Sequence, residues 1–325
     1  MRGRAIGLGL LGLGAFVLAA ALAVRLFLEP ALVKLPLDQK AEPVGVGTDV
    51  SFFNLQDFEQ FEGLTADVQQ RVEGDAFAPG AGEDVAVWNF GSTVSDTEGN
   101  LLNASTYRVC LDRRTAEAVP DCESTHVDYD RSVTIEGLTL TFPFGTEQRD
   151  YKLFNATTGE AFPAEFIGTE EIKGLEVYRF EQTVPETVIE EAEVPGELVG
   201  ADDELVNAEV VYSNQRTVWV EPASGVIVKS EEHPDTVLRG PDGEDAVTLL
   251  AGTFGASEAT VDGAVERAEN TRSKINWVAT IIPLLLLVLG VFALVAGALL
   301  LRRRPAGAHR EDTAHAGEDR VPQVQ

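Results

Sequence analysis

The sequence predicts a mainly β chain: an antiparallel, sheet or barrel-like domain set between two transmembrane α-helices. Three observations predict it. Trp277 to Leu301, WVATIIPLLLLVLGVFALVAGALLL, holds about 25 residues without an ionisable side chain, long enough to cross roughly 30 Å of hydrocarbon. A second apolar run fills Ala5 to Val24. Between the two, apolar and polar residues alternate in short stretches separated by turn residues, in a chain with 30 Gly, 15 Pro and a single Met, a composition that suits strands and turns better than a helical bundle.

Arg302, Arg303 and Arg304 abut the second run, and Arg2 and Arg4 precede the first. Basic residues flank the cytoplasmic ends of spans, so residues 1–4 and 302–325 are expected in the cytoplasm, 5–25 and 277–301 in the membrane, and 26–276 outside it. The polar tail after Arg304 lacks periodicity and is expected to be disordered. Ala21-Leu22-Ala23 also fits a signal-peptide cleavage site; the length of the run favours an uncleaved anchor. Gly7, Gly9, Gly12 and Gly14 offer a small-residue surface on which the second helix, with Gly290 and Gly297, would pack. Ordinary transmembrane composition explains the same glycines.

The exterior region is acidic. All but four of the 53 Asp and Glu residues fall between Glu29 and Glu269, and the formal net charge of the chain is −28. Nucleic acid and other polyanions are excluded as partners on that ground, whereas a basic protein partner is compatible with it.

In chain order, Pro30 and Pro36 argue for extended chain over Leu26 to Asp38. Val44 to Phe53 reads as a strand, Gln56 to Phe61 as a helical turn or a loop, and Thr65 to Glu73 as a strand before the break APGAGED at Ala78 to Asp84. Asp84 to Asp96 and Ala104 to Asp112, joined by Thr97-Glu98-Gly99-Asn100, form the first hairpin. Cys110 and Cys122 are the only cysteines; in an exported domain such a pair most often forms a disulfide, with two buried thiols or a metal pair as the alternatives. Ser132 to Phe144 carries two short strands about Glu136-Gly137. The segment Tyr151 to Glu232 is the part most clearly drawn as an antiparallel sheet, with turns at Asn155 to Gly159 and Glu221 to Gly225 and strict alternation over Gly174 to Gln182. Val184 to Val206, acidic and broken by Pro and Gly, reads as an excursion from that sheet, and its carboxylates lack the DxDxDG spacing of a calcium loop. Ser257 to Lys274 has helical spacing and leads to Trp277, placing Arg272 and Lys274 at the exterior headgroups.

No nucleophile elbow, HExxH, P-loop or GxGxxG helix start is present, and of four histidines only His126 and His233 lie in the exterior region. No catalytic residue, cofactor or metal site is assigned, and the chain is not expected to be an enzyme.

The exit sequence LFLEPALVKLPLDQ (Leu26 to Gln39), TFPFGTEQRDYKLFNATTGEAFPAEFIGTEEIKGLEVYRFEQ (Thr141 to Gln182) and TVWVEPASGVIVKSEE (Thr217 to Glu232), with the second apolar run, resemble an actinobacterial two-pass membrane family of unknown function labelled "porin PorA family". Glu171 to Leu175 leading to Tyr178-Arg179-Phe180 is similar to a stretch of the class B scavenger receptors, and the Trp-Val-Glu-Pro-x-x-Gly hairpin is similar to strands of bacterial lipoprotein carriers. Those two likenesses imply an apolar ligand, an envelope lipid, on a sheet whose candidate lining strands carry Tyr178, Phe180 and Trp219. The alternative is a solidly packed structural or protein-interaction component of the envelope.

Overall fold

The computed structural model describes residues 2–54 and 58–302. Met1, the start of the expected Gln56 to Phe61 segment, and Arg303, Arg304 and the rest of the expected tail lie outside the described residues. The chain divides into two compact units, one comprising 1–25 with 281 onward, the other 26–280.

The first unit follows directly from composition. Unbranched and small apolar residues favour helix, and both terminal runs form one: α1 (Arg2–Ala23) at the start and α4 (Ile282–Arg302) at the end. Each belongs to a helical stretch long and apolar enough to cross a membrane, which associates the chain with one. The two helices touch at glycines. A Cβ on Gly297 would lie 2.8 Å from the Gly7 carbonyl oxygen, and one on Gly14 would lie 2.9 Å from the Gly290 carbonyl oxygen. Gly9 and Gly12 face open space instead, so half of the expected small-residue surface is used.

The second unit starts with a correction. Helix persists past Pro30, through a π-helical turn (Val24–Leu28) into α2 (Glu29–Leu32). Pro30 sits in the first turn of α2, where a helix needs no N–H from it.

Twelve strands follow: β1 (Lys40–Ala41), β2 (Val44–Asn54), β3 (Glu59–Gly74), β4 (Val85–Asp96), β5 (Leu101–Asp112), β6 (His126–Val127), β7 (Tyr151–Asn155), β8 (Glu160–Ile172), β9 (Leu175–Pro195), β10 (Leu205–Val220), β11 (Ile227–Arg239) and β12 (Asp245–Ala256). They form one antiparallel sheet in the order β6-β5-β4-β3-β2-β12-β11-β10-β9-β8-β7, with β1 on β3. Each neighbouring pair is a sequential hairpin except one. At the centre β2 meets β12, the first long strand against the last.

The sheet is curled into a half-barrel. Trp88, Tyr107 and Val109, near one end of the strand order, share a single buried cluster with Tyr151, Phe154 and Phe180 from the other end, and the rings of Tyr107 and Phe154 stand 6.3 Å apart. A flat sheet would hold these strands far apart. The loop between β5 and β7 crosses the gap. Leu111 bridges to Ala118, Glu117 to Leu138, and Leu138 to Leu153, so short extended pieces link the two ends. Ile135, Leu138 and Phe142 from this loop are at most 2% exposed. A disulfide between Cys110 and Cys122, 12 residues apart in sequence, fastens the start of the loop; by chain entropy a closure of that length contributes about 3 kcal/mol.

Other expectations meet corrections. Val184 to Val206 is not an excursion, because β9 continues to Pro195 and only Gly196 to Glu204 leaves the ladder. The register against β10 shifts between Tyr212 and Asn214, and the irregularity there accommodates Pro185, which has no N–H to give to the ladder. Ser132 to Phe144 forms single bridges rather than strands. After β12 comes α3 (Glu258–Asn276), capped by Ser257, whose hydroxyl oxygen accepts from the Thr260 N–H at 3.2 Å. One face of α3, with Val261 and Ala268, packs on Leu175, Val177, Trp219 and Val228, on the outer side of the sheet.

A polar belt across the concave face

In an antiparallel ladder, residues directly opposite one another share a face. One such row runs around the curl. Ala164 on β8 faces Gln182 on β9, Gln182 faces Arg216 on β10, and Arg216 faces Glu232 on β11. Glu232 in turn faces Phe254 on β12, Phe254 faces Gly47 on β2, and Gly47 faces Ala66 on β3. Phe180 and Val218, two residues along from Gln182 and Arg216, lie in the buried cluster inside the curl, so the row is on the concave side.

Its middle is polar. Gln182 is 2% exposed; its amide donates to the carbonyl oxygens of Leu153 (2.6 Å) and Phe162 (3.3 Å), while its own Oε1 has no partner. Arg216 Nε stands 3.1 Å from Glu232 Oε1 but off the N–H axis, so the contact is an ion pair rather than an aligned hydrogen bond. Asn214 Nδ2 donates to the other carboxylate oxygen of Glu232 at 3.3 Å. Burial pushes the Tyr107 phenol well above its ordinary pKa, against the nearby Arg216 guanidinium and with the Glu232 carboxylate. Tyr107 is therefore a neutral donor at any physiological pH. A nearby pair extends the polar zone, with Asn155 Nδ2 donating to the Tyr212 hydroxyl at 3.2 Å. The far side of the row is apolar and small, and the Phe254 ring covers Gly47, where a Cβ would stand 2.7 Å from it.

The structure separates the sequence-predicted lining residues. Phe180 is fully buried on the concave side, its ring 4.9 Å from that of Phe142 and edge-on to Tyr151. Tyr178 lies at the margin of the same cluster. Trp219 is on the opposite face, beneath α3. There its indole N–H donates to Glu170 at 2.8 Å, Lys229 Nζ sits 4.3 Å from its ring, and Arg179 bonds both Glu170 and Glu181. The Trp219 and Arg179 donors hold the Glu170 carboxyl below its usual range. Gln182, Arg216 and Glu232 were missed, although part of the signal was visible: Gln182 and Arg216 are polar residues in the apolar phase of their strands, next to Phe180 and Val218, while Glu232 lies in a phase of mixed polarity.

Among the described residues no cluster of His, Cys, Asp and Glu could hold a metal ion, and no side chain in the belt pairs a nucleophile with a base. The outer face of β3 carries Asp67, Gln69, Arg71 and Glu73, a polar face that suits water better than lipid, where an arginine alone costs about 2–4 kcal/mol at mid-membrane.

The Porin PorA family profile matches residues 6–299. The chain belongs to the PorA family. It is 26% identical over 272 residues to "Porin PorA" of Corynebacterium amycolatum, covering 67% of this chain and 70% of that one, and 25% identical over 287 residues to "Porin PorA" of Corynebacterium resistens, covering 65% and 69%. Membership of this non-enzymatic family agrees with the absence of catalytic motifs. Among solved structures, a MaoC domain protein dehydratase from Chloroflexus aurantiacus overlaps 78% of this chain and 90% of its own at a TM-score of 0.17 and 10% identity.

Proposed function

We propose that this PorA-family chain is a non-catalytic, membrane-anchored protein of the cell envelope whose half-barrel binds an amphiphilic, lipid-like ligand on its concave face. The observation that supports this is the belt itself. A fully buried Gln182 with an unpartnered carbonyl oxygen stands beside a half-buried ion pair, at the edge of the apolar cluster that fills the curl. Leaving a buried acceptor unpaired costs about 1–3 kcal/mol, and a ligand hydroxyl or amide would relieve it. The ligand's apolar part would lie toward Phe254 and Val68, because Phe142 and Phe180 already fill the other side. In this reading both termini are cytoplasmic and residues 26–276 are exterior, consistent with the basic residues at the outer ends of both runs.

The test is native mass spectrometry with lipid extraction on the full chain, purified in detergent from cells that make it. One lipid per chain is expected, and it should be lost from the charge-free double variant Arg216→Met/Glu232→Met. Equal lipid retention by both proteins would overturn the assignment of the belt. A second reading, an interaction module without a small ligand, draws support from the closely filled core around Phe142 and Phe180. A chain that carries no lipid and takes up none would favour it.

A further inference from the structure

The loop between β3 and β4 carries Phe77, which at 99% is the most exposed large apolar side chain among the described residues. A single exposed apolar side chain is ordinary on a protein surface. This one is set apart by how firmly it is presented and by where. The Asp75 carboxylate accepts from the Phe77 N–H at 3.1 Å, and the Asp75 carbonyl oxygen accepts from the Ala78 N–H. Ala78 is 7% exposed and packs with Val87 and Cys110, while the Ser124 hydroxyl donates to the Pro79 carbonyl oxygen at 2.6 Å. The backbone on both sides of the tip is thus fixed, next to the Cys110–Cys122 disulfide, and the ring between is left in the open.

The same loop is stitched to the chain that leaves the first apolar helix. Lys34, with a side chain only 5% exposed, donates to the Glu83 carbonyl oxygen at 3.1 Å and to the Asp84 carboxylate at 3.0 Å. Arg113 donates to the carbonyl oxygens of Leu35 (2.6 Å) and Glu83 (2.9 Å), and its own carbonyl oxygen accepts from the Leu35 N–H. The first apolar helical stretch ends at Leu28. From there to Lys34 the chain makes the four helical steps of α2 and two more, no more than about 13 Å in all. The loop is therefore tethered close to the headgroup layer that borders the end of that stretch, a layer aromatic side chains favour. Asp75, Glu83 and Asp84 on the loop, and Asp121 and Glu123 flanking Cys122, belong in water, which confines any lipid contact to the tip.

We infer that Phe77 is a shallow membrane contact: its ring rests among lipid headgroups beside the end of the first apolar stretch and holds this loop against the lipid surface. The contact requires only that the apolar helices lie in a bilayer. It is separate from the concave belt and stands whether or not a ligand binds there.

The probe is a tryptophan at the tip, in the full chain reconstituted into phosphatidylcholine vesicles with or without bromine on the acyl chains near the headgroup. Phe77→Trp is made in a Trp277→Phe background, in which the remaining tryptophans, Trp88 and Trp219, are buried. Leu101→Trp in the same background is the comparison, since Leu101 is exposed at the far end of β4 and β5, about 36 Å of strand from the loop. A membrane contact predicts that the Phe77→Trp emission shifts to shorter wavelength on reconstitution and is lost to the bromines, and that acrylamide in the water quenches it less than it quenches Leu101→Trp. Equal bromine quenching at the two sites would overturn the assignment. So would a blue-shifted Phe77→Trp that bromine leaves untouched, which would mark a protein contact instead. The parent chain keeps Trp277 at the start of the second apolar run, and bromine should quench it; a parent that escapes quenching would overturn the membrane reading itself and the contact with it. Both probe positions are exposed, so neither substitution removes a packed side chain.

Discussion

The ion pair in the belt permits a quantitative test of how enclosed the concave face is. At the observed 3.1 Å separation, and with the effective dielectric of about 20 that suits partly buried sites, the gross attraction is about 5 kcal/mol. The side chains retain 20% and 36% exposure, and solvent screening reduces the usable part to about 2–3 kcal/mol. Removing one partner leaves the other charged, half-buried and surrounded by Tyr107, Gln182 and Asn214. Arg216→Met and Glu232→Gln should therefore each destabilise the half-barrel by about 2–3 kcal/mol. Removing both charges leaves nothing uncompensated, so Arg216→Met/Glu232→Met should return to within about 1 kcal/mol of the parent. The assay is urea unfolding of the full chain in detergent, followed by tryptophan fluorescence, to which Trp88 and Trp219, both buried in the sheet, contribute. Single variants costing under about 0.5 kcal/mol would mean the pair behaves as a surface contact, and the enclosed belt would be refuted. A double variant costing the sum of the singles would refute the coupling.

Three further outcomes are expected. Phe180→Ala should cost about 3–5 kcal/mol, because a fully buried ring stacked on Phe142 leaves a cavity its neighbours cannot fill; the same urea transition measures it. Glu170 has a folded pKa below its ordinary value through Trp219 and Arg179, so its stabilising contribution is present above about pH 4.3 and lost as pH falls through the lowered value. Glu170→Gln should then narrow the stability gap from the parent as pH drops from 6 to 3, and a gap constant over that range would contradict it. Gly297→Leu would drive a side chain against the Gly7 carbonyl oxygen, and the α1–α4 contact should weaken by about 1–3 kcal/mol, read by distance-dependent energy transfer between dyes on the two helices.

Much of the half-barrel was legible in the sequence because hairpins announce themselves locally. The Thr97 to Asn100 and Glu221 to Gly225 turns carry their own conformational signals, and the strands on either side alternate cleanly. What escaped was non-local. β12, with its run of small and apolar residues from Ala246 to Ala256, has no polar phase to mark it as a strand, since both of its faces are half covered. The length of β9 was concealed by Pro185 and by glutamates that face outward. The belt escaped for a different reason: Gln182, Arg216 and Glu232 lie on three strands and become a row only once the register is fixed. The small-residue contact between the helices was half legible, since composition nominates glycines but rotation about the helix axis selects Gly7 and Gly14 over Gly9 and Gly12.

The position of β12 beside β2 has a consequence for synthesis. Every other long-strand pairing forms between neighbours in the chain, so most of the sheet can zip up hairpin by hairpin as residues emerge. The central seam must wait until the last strand has been made, some two hundred residues after the first. Only the 19 residues of α3 and one π-helical turn then separate β12 from α4. The strand that joins the two halves of the sheet is thus delivered almost together with α4, the second long apolar helix. Until then each half displays a raw central edge, and chains paused at that stage would be the ones most apt to pair with one another.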